Sequence, residues 1–452
     1  MPRIFDFLRV DDIPTMARPN YLAELRHMTL WGLFANLVDG SFSSIVVAKT
    51  FGSPLLVPIV WATPMLAHVL SFVWGIVLRG QPKVRTFVVL AVFALASAGS
   101  IAFTPSDWHP WGGWVFAGQV ALARIFLSGL VTVRTSIWKS NYPQSHRARI
   151  AGRLQALGAL LMLGMGATVS LLFDRHAEYY RWVYPTIAAI GVISLIPLRG
   201  VRVRGEPREL KGFRNHLASE GEDNGHLAQF DRGLKEAVTI LRRDRDFSRY
   251  CSAQYLLGSA NLMLDPVLTI FLTQGLGLGY FGSYLLMEQI PTVLSLLTLR
   301  RWANLFDRVG VLQFRVTNSV FWLASFVLVT AALLIHSIPI ALAASVAMAV
   351  LVAGRVVNGV GRGGGSIAWN LGHLHFAGPH DAELYMGIHV ALTGIRGVIM
   401  PFIGTVAYNL FGPVTLLLSV GLAIAAQRAF HRLAAAESRA RSAASPRASL
   451  EP

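Results

Sequence analysis

The stretch "GRVVNGVGRGGGSIAW", residues 354–369, decides how the whole chain is read. Gly359, Gly361 and Gly364 stand in a literal G-x-G-x-x-G spacing. After a strand, that spacing lets backbone N–H groups meet a nucleotide pyrophosphate. Inside an apolar helix, the same small residues let two membrane helices touch. Arg355 and Arg362 sit among these glycines, so the choice also decides what two arginines do there.

Composition favours the membrane. Of 452 residues, 54% are hydrophobic and 14% charged, with a mean hydropathy of +0.51; a soluble domain carries about 25% charged residues. Apolar runs fall near 25–49, 54–78, 85–104, 112–137, 150–173, 181–198, 249–273, 279–299, 313–336, 339–366, 384–406 and 411–432. Crossing about 30 Å of hydrocarbon takes roughly 20 residues, so these runs predict an all-α membrane protein with twelve transmembrane helices. No strand is predicted before residue 354, and the counterpart "ARIFLSGLVTVRTSIW" (123–138) lacks the glycine triplet. The glycines therefore read as a helix that packs closely or bends.

The net charge of +16 is explained by where the basic residues fall. With a cytoplasmic N-terminus, that side receives Arg79, Lys83, Arg85, Lys139, Arg147, Arg149 and Arg153, and later Arg300, Arg301, Arg308 and Arg315. The C-terminal arginines 428, 432, 439, 441 and 447 follow, while the opposite side holds only Lys49, Arg175 and Arg181. This is the positive-inside pattern of a cell (cytoplasmic, inner) membrane protein with both termini cytoplasmic. No nucleic-acid partner is expected. "MPRIFDFLRVDDIPTMARPN" has no apolar signal core, so the first helix is expected to act as its own targeting signal. The single Cys251 excludes a disulfide framework.

The expected domains are an N-terminal six-helix bundle (1–198), a solvated cytoplasmic linker (199–246), a C-terminal six-helix bundle (247–433) and a disordered basic tail (434–452). A short amphipathic helix is expected at 231–243 within the linker. The two bundles repeat each other. Gly32 and Asp39 recur as Gly258 and Asp265, Trp74 as Trp302, and Arg124 with Trp138 as Arg355 with Trp369, all 226 to 231 residues later. Parallel repeats of this kind place a substrate site near the membrane midplane between them.

"WANLFDRVGV" (302–311) resembles the G-x-x-x-D-R-x-G-R/K loop of the major facilitator superfamily, with Asp307, Arg308 and Gly310 in register and Ala303 for the first glycine. The first-half copy, "WGIVLRGQPKVR", keeps Gly75 but has Arg79 where the family carries Asp. "GRVVNGVGRGG" is similar to the fourth-helix R-x-x-Q-G motif, with Asn358 for Gln; "ARIFLSG" keeps Arg124, its glycine one position late. "NLVDGSFSSIVVA" is a weak echo of an antiporter motif, and the antiporter G-P pair appears in span 11, "GIRGVIMPFIG", rather than in span 5. The resemblance implies two pseudo-symmetric six-helix bundles, a cavity lined by helices 1, 4, 7 and 10, and a gating loop of Gly75, Arg79, Asp307, Arg308 and Gly310.

Mechanism must come from polar groups within the apolar runs. An arginine at the centre of a lone helix costs about 2.5–3.5 kcal/mol, so Arg124, Arg355 and Arg396 are expected to face water or carboxylates. Asp39, Asp265 and Glu288 are the available carboxylates. Pairs of Asp39 with Arg124 and Asp265 with Arg355 would couple proton to substrate binding, or would be static ion pairs that order the helices. Asp265 precedes Pro266 and also reads as a kink marker. Glu288 is either a coupling carboxylate or a polar contact between helices. His68 is either a proton relay or a histidine bonded to a carbonyl. Asn36, Asn261 and Asn358 are candidate substrate contacts, with Gln254 and Asn318 beside them, or cross-helix bonds. Arg134 and Arg362 lie nearer the helix ends and can snorkel. "NLGHLHFAGPHDAE" gathers His373, His375, His380, Asp381 and Glu383 without a zinc spacing, and reads as a solvated loop.

The expected function is secondary active transport of a small molecule, weakly an organic anion, by alternating access and driven by protons or another coupling ion. Amphipathic-cation efflux and a non-transporting scaffold or sensor are the alternatives. A single chain in the lipid bilayer is expected to suffice, with no cofactor, no metal and no enzymatic activity.

Overall fold

The computed structural model describes residues 10–78, 80–219, 226–377 and 382–444, and every regular element among them is helical. In chain order these are α1 (Arg18–Asp39), α2 (Phe42–Lys49), α3 (Val57–Val77), α4 (Lys83–Gly99) and α5 (Trp111–Asn141). They continue with α6 (Gln144–Arg175), α7 (Tyr180–Ser194), α8 (Glu206–Ser219), α9 (His226–Arg243) and α10 (Arg245–Ile270). The last are α11 (Tyr280–Tyr284), α12 (Ile290–His336), α13 (Ala343–Leu371), α14 (Ala382–Phe411) and α15 (Leu416–Ala444).

Eight helices among the described residues are long and apolar enough to cross a membrane, or nine if α1 and α2, bent by 41°, form one span. Two of the eight run for 57 residues each, Tyr280–His336 and Leu384–Ala440. At 1.5 Å per residue that is nearly three times the length one crossing requires. Gly310 interrupts the first of these at φ +74°, and Gly412 the second at φ +68°. Both are left-handed positions that glycine adopts without steric penalty. The chain is an all-α, multi-pass membrane protein.

It divides into two compact units. Met1–Gln229 with Leu276–Tyr284 form the first, and Phe230–Gly275 with Leu285–Pro452 form the second. The short segment before and including α11 is built into the first unit by polar contacts. The Asp174 carboxylate accepts from the backbone N–H groups of Tyr280 (2.5 Å) and Phe281 (3.0 Å), and the Lys49 ammonium donates to the Leu278 carbonyl (2.7 Å).

Two polar stretches carry more helix than the sequence suggests. Within residues 199–246, α8 precedes α9, and α9 starts at His226. Glu206 and Glu209 of α8 accept from the Lys83 backbone (2.7 Å) and ammonium (2.5 Å) at the start of α4. Beyond Leu433, α15 continues to Ala444, where a disordered tail is expected. A polar contact of His375 Nε2 with Glu437, at 3.4 Å, gives that extension a tertiary anchor.

Candidate functional site: buried arginines at helix breaks

The first unit breaks its opening helix at Gly40, between α1 and α2, which frees carbonyls that a continuous helix would use. Ser43 Oγ donates to the Leu37 carbonyl (2.7 Å) and Tyr184 Oη to the same oxygen (3.2 Å). Arg124 of α5 reaches the others: Nε donates to Val38 O (2.6 Å) and Nη2 to Gly40 O (3.2 Å). Its Nη1 donates to Val60 O and to Thr63 Oγ1 on α3. Arg124 is 2% exposed, so its charge is stabilised by aimed backbone dipoles as well as by neighbouring groups.

The second unit repeats the chemistry with a different break. Residues Leu285–Gln289 form a π-helical turn, a rare geometry frequent at functional sites. Arg355 of α13, also 2% exposed, donates from Nε to Leu286 O (2.8 Å) and from Nη2 to Met287 O (2.9 Å). The expected direct pair of Asp265 with Arg355 is not formed. Asp265 instead accepts from Asn261 Nδ2, one turn back on α10, at 2.9 Å. Carbonyls released by the π turn take two of the guanidinium's five N–H donors, and Asp265 stands as a longer-range electrostatic neighbour of Arg355, Arg362 and Glu288. Glu288 pairs with Arg362 at 3.4 Å and accepts from Thr292 Oγ1 at 3.0 Å. Asn358 lies buried on α13 between the two arginines. Asn261, Asp265, Glu288, Arg355, Asn358 and Arg362 therefore form one polar group inside the second unit.

The glycines of residues 354–369 lie within the single helix α13, and they pack it against α12. A Cβ on Gly359 would stand 2.7 Å from Leu294 Cβ and from Pro291 O; one on Gly363 would stand 2.9 Å from Ser295 O. The nucleotide reading ends here, because these backbone N–H groups are spent in the helix.

Arg396 does not join that polar group. It points from α14 onto α10, where its guanidinium lies against Gly258 and Nη1 donates to the Gln254 carbonyl. Asn36 is fully buried in the first unit, and its Oδ1 accepts from Tyr284 Oη at 2.9 Å. In the second-half loop, Asp307 and Arg308 are exposed beside the Gly310 break. The side chains of Asp39 and His68, the surroundings of Gly75, and Arg79 itself lie outside the described residues. His380, Asp381 and the Glu383 side chain do so too, and no metal-binding group of three ligands occurs among the described residues.

One buried cluster escaped the sequence reading. Glu24 on α1 accepts from the Trp138 indole and from Tyr142 Oη (2.7 Å). His27 donates from Nδ1 to the Ser194 carbonyl (3.0 Å), which leaves Nε2 to accept from Arg134 at 3.4 Å. The available signal was the spacing of Glu24 with His27 and of Arg134 with Trp138, each pair on one helix face.

By sequence, no family model and no curated protein matches the chain. Solved structures do. A point mutant of the nucleoside transporter NupG superposes with a TM-score of 0.65 at 13% identity, over 93% of this chain and 100% of that one. A D-xylose–proton symporter gives 0.65 at 12% identity, over 92% and 97%. A bacterial homologue of the iron transporter ferroportin in an inward-facing state gives 0.60 at 13% identity, over 93% and 98%. The chain shares the helical fold of these solved transporter structures.

Proposed function

We propose that the chain is a secondary active transporter of a small solute, with a preference for organic anions, coupled to protons and working by alternating access of two six-helix bundles. It acts as a single chain in the cytoplasmic membrane, with twelve spans and both termini on the cytoplasmic side. The observation that carries this reading is the polar group of Asn261, Asp265, Glu288, Arg355, Asn358 and Arg362, set beside a π-helical break in an otherwise apolar unit. A carboxylate close to guanidinium groups keeps its charge only while those groups remain its neighbours. A solute anion that draws Arg355 or Arg362 toward itself weakens that support and favours proton uptake by Asp265 or Glu288. Asn36, Asp39, Arg124 and His68 take the corresponding part in the first half. Arg396 supports the second half from behind, and Gly75, Arg79, Asp307, Arg308 and Gly310 form the gating loops.

Purified protein in liposomes under an imposed pH gradient tests this against a panel of organic anions and amphipathic cations. Arg355→Ala is expected to abolish anion flux, and Asp265→Asn to uncouple it from the gradient. Preserved cation export in Arg355→Ala would instead identify an efflux protein. No flux of any solute would identify a scaffold or sensor.

A further inference from the structure

The face of α14 that packs on α10 carries His389, Thr393 and Arg396 at positions i, i+4 and i+7. The opposing face of α10 carries Tyr250 and Gln254, one turn apart, followed by Gly258. Arg315, one turn past the Gly310 break, joins from α12 by donating to Tyr250 Oη at 3.4 Å. Trp369 closes the group from α13, its ring 5.7 Å from that of His389.

Three features separate this place from ordinary packing. Arg315, Arg396 and His389 are 3%, 7% and 3% exposed, and among the described residues no carboxylate pairs with any of them. Arg396 Nε and His389 Nε2 are buried without a hydrogen-bond partner. Arg315 also stands over the Phe430 ring, 5.8 Å from its centroid, a partner without formal charge. A buried cation without a countercharge is strongly unfavourable. The first unit also shows that the fold does not require cations here. Gly32 of α1, the repeat of Gly258, packs against Leu161 of α6, a Cβ there standing 3.1 Å from Leu161 Cβ. Leu154, Gly158 and Leu161 repeat the spacing of His389, Thr393 and Arg396 with no polar side chain.

We propose that the second unit holds a compact monoanion between Arg315, His389 and Arg396, a site separate from the group around Arg355 and independent of whether the chain transports. Arg396 Nε and His389 Nε2, protonated or as the Nε2–H tautomer, donate to it, and Arg315 supplies the second full charge. The chemistry suits a halide or a small carboxylate group, that is, a free inorganic ion or the acid group of a solute.

The test is thermal unfolding of the full chain in nanodiscs, with sodium chloride or sodium formate replacing sodium gluconate at constant ionic strength. A saturable rise in Tm with chloride is expected; a rise with formate alone assigns the site to a carboxylate. Arg396→Leu copies the packing of the first unit and should fold, and it is expected to lose the anion response. His389→Gln, which removes one charge-assisted bond, should weaken the midpoint about tenfold. Chloride-35 line broadening in the unaltered protein, reversed by excess competing anion, gives a readout that needs no variant. Equal Tm in all three salts with no line broadening overturns the proposal, and so does an unchanged anion response in folded Arg396→Leu.

Discussion

Gly32 and Gly258 hold the same place in the two repeats, yet opposite kinds of side chain rest on them. In the first unit the seat is filled by Leu161; in the second it is filled by the Arg396 guanidinium. The neighbouring positions diverge in the same direction, Leu154 and Gly158 against His389 and Thr393. At the start of the same helices, Glu24 in the first unit stands where Tyr250 stands in the second. The first unit thus places a carboxylate, Glu24, beside the same small cavity as half-buried Arg134 and buried His27, and the second collects cations around a neutral phenol. Repetition fixed the backbone scaffold of a glycine-mediated helix contact, while the chemistry placed on it was free to differ.

Exchanging the seats breaks that comparison most severely. Leu161→Arg puts a charge where no acceptor is arranged, and is expected to lower stability by about 3 kcal/mol, read as unfolding in detergent micelles. A variant as stable as the parent would show that either seat accepts an arginine. The reverse exchange is smaller and opposite in sign. Arg396→Leu removes an uncompensated buried charge and should gain about 1–3 kcal/mol in gluconate, where no compact anion offsets it.

A third pair of substitutions probes where the halves agree. Trp74 donates to Ile125 O (3.0 Å) over Gly129, and Trp302 donates to Val360 O (2.7 Å) over Gly364, the glycine following the carbonyl by one turn in both. Trp74→Phe and Trp302→Phe should each lose about 1 kcal/mol, and unequal losses would argue that the two seats are not equivalent. The smallest effect lies outside the membrane and in the first unit alone. Arg153 grips both oxygens of Asp12 at 2.8 and 2.6 Å, holding that carboxyl down to about 2. Because its folded pKa is depressed, the contribution is fully present above the ordinary carboxylate range and fades as pH falls toward 2. Asp12→Asn should remove only that acid-side dependence, measured as Tm against pH.

Much of the architecture was legible because lipid imposes simple rules. The apolar runs are a one-dimensional signal of membrane thickness, and eight helices of spanning length, or nine with the bent pair, stand among the described residues where the sequence led to an expectation of twelve. The site was legible in its ingredients. Arg124, Arg355 and Arg396 were conspicuous because charge in an apolar run demands a reason. Their partners were not legible. The expected Asp265–Arg355 pair gave way to carbonyls of a π turn, and a backbone irregularity of five residues leaves no pattern in side-chain hydropathy.

The repeat also conceals a change of register. Arg124 stands one residue before the carbonyl that holds its tryptophan, whereas Arg355 stands five residues before its own. The α6 and α14 contact residues, Leu161 and Arg396, are likewise separated by nine residues more than Gly32 and Gly258. Sequence alone determined that this chain is a duplicated bundle of membrane helices carrying charges it must shelter, since composition and periodicity report each residue's preference for lipid or water. Tertiary structure alone decided which groups shelter them, because carbonyls freed at a helix break and the register of two packed helices exist only once the backbone has closed around them.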